Sequence, residues 1–118
     1  MTLLEIHESW AWFVVIGNGV AGAWCLAASA RSELRVRALW WFVGAAQVAM
    51  MVQVIIGVAL VSSDDREAEQ FHMFYGFVAL IAISIIYSYR QQMMHRIHLL
   101  YGFGSLFVMG LGIRAMLL

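Results

Sequence analysis

Proline and lysine are absent from this 118-residue chain, cysteine occurs once, and only 12% of the residues are charged. Each shortage excludes something. Without proline there are few reasons for a sharp helix kink, although ten glycines leave room for local bending. The lone Cys25 excludes an intrachain disulfide and leaves the redox compartment open. All seven basic residues are arginines, they are scattered, and the formal net charge is zero, so no basic block exists that could hold nucleic acid. The acids lie almost entirely in loops and ends. No Ser-His-Asp set, pair of buried carboxylates, or zinc or iron motif of recognised spacing can be assembled. A proton-coupled exporter would want a carboxylate well inside the membrane, and none is there.

What remains is apolar: 64% of the chain, gathered into runs from Ser9 to Ala30, Ala38 to Ser63, Phe71 to Tyr89 and Ile97 to Leu118. A hydrocarbon core about 30 Å thick takes roughly 20 such residues as helix, and in lipid the backbone must satisfy itself within the segment. The expected fold is therefore all-α, an integral membrane four-helix bundle in one domain covering 1–118, with helices at about 3–30, 38–62, 65–90 and 96–117. The N-terminal stretch has no positive n-region, so the first helix is expected to stay in the mature protein. Thr2 to Glu5 fits a capping box, and Ser63 or Asp64 is placed to cap the third helix. Trp10, Trp12, Trp40 and Trp41 sit near helix ends, as interfacial aromatics do. Small residues four apart, such as Gly17 with Ala21, Gly19 with Ala23 and Ala45 with Ala49, favour close helix packing.

Arginine placement orients the bundle. Arg31, Arg35 and Arg37 fall in the first loop and Arg90 and Arg96 in the third, whereas residues 64–69 are mostly acidic. The positive-inside tendency puts loops one and three in the cytoplasm and both termini on the non-cytoplasmic side, with Arg114 snorkelling to that interface. The expected location is the cytoplasmic (inner) membrane, multi-pass.

Histidines inside membrane helices invite a functional reading. His7 and His72 are two crossings apart, so they fall on parallel helices at similar depth on the outer side. Facing imidazoles on neighbouring helices are a usual way to ligate haem b, one ring nitrogen from each side of the iron. Ala11, Gly76 and Gly102 follow His7, His72 and His98 by four residues, on the same helix face, and leave room for a flat macrocycle. Gln53 lies near the same depth and is placed to bond a ligand imidazole or a propionate. His98 enters from the opposite side without a partner at its level, and interfacial placement or a hydrogen bond to a neighbour accounts for it. Histidines that are merely interfacial are the alternative for His7 and His72 as well. His72-Met73-Phe74-Tyr75-Gly76-Phe77 and His98-Leu99-Leu100-Tyr101-Gly102-Phe103 match at four of six positions, a short echo between antiparallel helices.

The stretch Gln53-Val54-Ile55-Ile56-Gly57, an extramembrane loop and then His72 resembles the haem A synthase family, as does Gly110-Leu111-Gly112-Ile113-Arg114 near the C-terminus. Proteins of that family use two four-helix halves, each with a haem between a histidine on one helix and another two crossings later. The resemblance implies that role for His7 and His72. The chain departs from the family around the first histidine, where Glu5 stands two residues before His7 and Glu8 follows it.

These observations lead to the expectation of a haem-b-binding subunit, in electron transfer or an accessory role within a respiratory or photosynthetic membrane complex. His7 and His72 would be axial ligands, with Gly76 and Gln53 beside them. Lipid, a larger membrane-protein complex or a second copy, and a quinone are the expected partners; nucleic acid is not. The alternatives are a cofactor-free accessory subunit and a half-size haem A synthase-like enzyme acting as a homodimer. A non-catalytic subunit is preferred over an independent enzyme because the loops are too short to form a soluble head.

Overall fold

A computed structural model describes residues 2–63 and 70–118. They form α1 (Leu3–Ala30), α2 (Arg37–Ser63), α3 (Gln70–Ser88) and α4 (Ile97–Met116), with single 3-10 turns at Ser32–Leu34 and Met94–Arg96. All four helices are long and apolar enough to cross a membrane. No strand occurs among the described residues. The first and last helices match the expected spans within a residue or so. α2 runs to Ser63, and the expected capping by Ser63 or Asp64 and the expected start at 65 lie outside what the described residues cover. α3 ends at Ser88 rather than 90 because the chain tightens there, Arg90 N–H bonding the Tyr87 carbonyl three residues back at 3.3 Å.

The helices carry their bulk outward. Phe13 on α1, Trp41 and Ile55 on α2, Phe74 on α3, and Phe103 on α4 are all exposed. Ala21, Cys25, Ala28, Leu39 and Val108 are sealed inside. Since acyl chains are as apolar as leucine, nothing drives these large side chains inward, and the bundle is held by close fit between small ones. Around the bundle the order is α2, α1, α4, α3. α1 packs most extensively on α4 and also on α2, and α3 packs on α4, but α2 and α3 touch only sparsely.

The tightest approach is between α1 and α4. A Cβ added to Gly22 would lie 2.9 Å from the Gly102 carbonyl oxygen, and one added to Gly102 would lie 3.2 Å from the Leu26 backbone nitrogen. Of the spacings expected to matter, the one at Gly19 is close, an added Cβ lying 2.8 Å from Met109 Sδ, whereas at Gly17 the nearest atom is Ala46 Cβ at 3.9 Å. Gly102 therefore serves helix packing and not the accommodation of a ligand beside His98.

Polar groups finish the helix ends and tie the layers. Arg35 bonds the Ala28 and Ser29 carbonyls at 2.7 and 2.9 Å, satisfying acceptors that the end of α1 leaves open, and Trp24 Nε1 donates to Leu34 O at 3.1 Å. Mid-bundle, fully buried Asn18 donates to the carbonyls of Val14 and Ala46 at 2.9 and 3.3 Å, joining α1 to α2. Of the tryptophans near helix ends, Trp12 and Trp41 are exposed, while Trp10 turns in and bonds Ala49 O at 2.9 Å.

Gly22→Ala is expected to lower stability by about 1–3 kcal/mol, because the clash is with backbone that cannot rotate away. Gly44→Ala, where an added Cβ meets nothing within 4 Å, should leave it unchanged or slightly raised. Thermal unfolding of the two variants in one detergent measures the difference.

Candidate functional site

The start of α1, the end of α2, the start of α3 and the end of α4 share one end, and a cavity of about 690 Å³ lies there. Its walls come from all four helices and include His7, Gln53, Gly57, His72, Gly76 and Gly112. α2 and α3 both contribute to its walls and touch each other only sparsely.

His7 is placed by local structure first. Glu5 N–H donates to Thr2 Oγ1 at 3.2 Å, so the expected cap sets the start of α1 and hence the face on which His7 emerges. Gln53 Nε2 then donates to the His7 carbonyl at 2.7 Å, fastening this turn to α2. Of the roles open to Gln53, a bond to a ligand imidazole, to a propionate or between helices, its amide nitrogen makes the interhelical one, to the main chain of α1. Its own Oε1 and the buried His7 Nδ1 are left without hydrogen-bond partners among the described residues. They are complementary, an acceptor and a nitrogen able to donate.

His72, one turn into α3, is held from the other side. Its Nδ1 lies 2.7 Å from the Ala115 carbonyl of α4. A carbonyl can only accept, so Nδ1 carries the hydrogen and the lone pair of the neutral ring sits on Nε2. This is the arrangement metal-bound histidines commonly show, with the other ring nitrogen bonded to a carbonyl or carboxylate. The His7 and His72 ring centroids are 6.1 Å apart, with planes at 74°.

Two imidazoles on opposite sides of one metal, each bonded at about 2 Å, bring their centroids to about 6 Å apart. The observed centroid spacing is of that size. Among the described residues no cluster of three or more His, Cys, Asp or Glu side chains could hold a metal ion. A bare ion would find only two ligands here, whereas an ion that brings its own equatorial nitrogens needs two. Two glycines in the walls set the room around the rings. An added Cβ on Gly57 would press His7 Cε1 at 3.3 Å, and one on Gly76 would reach Val54 at 3.9 Å.

Gly57 and Gly112 entered the sequence reading only within the two family-like stretches, and the Ala115 carbonyl did not enter it at all. Gly57 follows Gln53 by four residues and so shares its helix face, a signal that was available. The Ala115 carbonyl carries no sequence signature. His98 stands apart, its ring 5.2 Å from that of Trp40 and its Nε2 buried without a hydrogen-bond partner among the described residues.

No family model matches the chain, and no curated protein or solved structure does either.

Replacing Gln53 with Leu removes the bond between α2 and the first turns of α1. An interhelical bond of this kind contributes about 1 kcal/mol or less, and denaturant titration of Q53L in mixed micelles should show a loss of that size.

Proposed function

We propose that this protein is a haem-b-binding subunit, multi-pass in the cytoplasmic membrane with loops one and three inside, that carries electrons or assists within a larger respiratory or photosynthetic complex. The reading rests above all on the His7–His72 pair, 6.1 Å between centroids, with His72 Nδ1 bonded to the main chain of α4. Haem b, when bound, supplies a one-electron iron centre. The chain does the rest. His7 and His72 offer one nitrogen each, Ala115 O holds the tautomer and direction of His72, and the Gln53 bond fixes the depth of His7. Gly57, Gly76 and Gly112 keep the walls back, and the apolar lining excludes water, which favours a less charged centre. With short loops and large exposed apolar faces, the surfaces left for partners lie within the membrane.

Purified protein should give a reduced-minus-oxidised spectrum of a b-type haem. His7→Ala and His72→Ala should each abolish it, whereas His98→Ala should keep it. No haem spectrum in any preparation would favour the cofactor-free accessory subunit, and loss on His98→Ala alone would refute the pairing. A second check concerns sidedness. With Cys25 buried, a cysteine introduced as Ser32→Cys should react with a membrane-impermeant maleimide only after cells are opened.

A further inference from the structure

Helices α3 and α4 enclose a second concavity, of about 600 Å³. Its walls are almost wholly apolar, among them Ile81, Ile85, Phe103 and Phe107, each more than half exposed. Arg96 is the sole charged residue in the lining. It stands just before α4, so the groove runs from a guanidinium along about 16 Å of helix to Phe107.

The charge around this groove is of one sign. Residues 70–118 hold Arg90, Arg96 and Arg114 and no Asp or Glu. Arg90 is engaged locally, donating to Tyr87 O at 2.9 Å with its guanidinium 3.7 Å from that ring's centroid. The one ion pair among the described residues, Arg31 with Glu33, belongs to the first loop. Arg96 thus closes the polar end of an apolar groove without an acidic partner among the described residues. At a membrane interface this combination suits one class of molecule, an anion joined to a hydrocarbon chain.

We propose that the α3/α4 groove binds one anionic glycerophospholipid, an acyl chain lying against Phe103, Phe107, Ile81 and Ile85 and the phosphate on Arg96. A zwitterionic lipid would bring a second cation towards Arg96 and His95, and the chain contacts alone cannot select, because every lipid offers them equally. Selection therefore resides in the headgroup and in one arginine.

Native mass spectrometry of the detergent-purified protein, mixed with equal amounts of phosphatidylglycerol and phosphatidylcholine of the same acyl chains, tests this. The expected result is one retained lipid with at least a fivefold preference for phosphatidylglycerol. Arg96→Gln, at an exposed position, should bring the ratio near one, and Ile81→Trp, which fills the groove from its exposed wall, should reduce retention of both lipids. Equal retention by the unaltered protein, an unchanged preference in R96Q, or undiminished retention in I81W would each overturn the proposal. None of these outcomes depends on whether the histidine cavity holds haem.

Discussion

Everything in this bundle hangs on the contact between α1 and α4, where Gly22 and Gly102 let two backbones come within the reach of a single missing methyl group. In water such a contact would be one among many, supplementing the gain from hiding large apolar side chains. In hydrocarbon that gain vanishes, and the energy must come from dispersion between surfaces that fit closely and from interhelical hydrogen bonds. That explains why alanines and Cys25 can be sealed inside while Phe13, Phe71, Phe74, Phe77, Phe103 and Phe107 face out. It also explains why α2 and α3 can stay apart, since each is already secured to a member of the central pair.

The candidate site inherits its geometry from that pair. His7 belongs to α1 and His72 to α3, yet the His72 ring is steadied by a carbonyl of α4. The distance between the imidazoles is thus set mainly across the α1/α4 contact, and not across the sparse contact between α2 and α3. α2 adds a second restraint through Gln53. A site built this way stays positioned while one of its walls is loosely attached.

Much of the architecture could be read from the sequence because the membrane imposes a length and a periodicity that do not depend on tertiary contacts. Four apolar runs, a Thr2 cap and an even number of crossings were enough to place His7 and His72 at one end, and the structure brings their rings together. What escaped reading depended on packing. Gly102 looked like room beside His98, but the four-residue spacing that defines a helix face also defines a helix contact, and nothing in the sequence separates the two. Gln53 could be placed in depth, and an interhelical hydrogen bond was one of the readings open to it, but the main-chain acceptor it uses is invisible in the amino-acid letters. The end of α3 shifted for a similar reason, as a turn tightened by one backbone bond leaves no compositional mark.

A cavity walled by four membrane-spanning helices, two of which touch each other only sparsely, has hydrocarbon as its neighbouring solvent. Whatever occupies it displaces acyl chains and not water, so its apolar atoms gain almost nothing by moving from bilayer to protein. Shape and greasiness, which dominate selection in aqueous pockets, are thereby discounted. Discrimination falls to the few directional groups in the wall, two imidazoles and an amide, and a guest unable to engage them would leave as readily as it arrived.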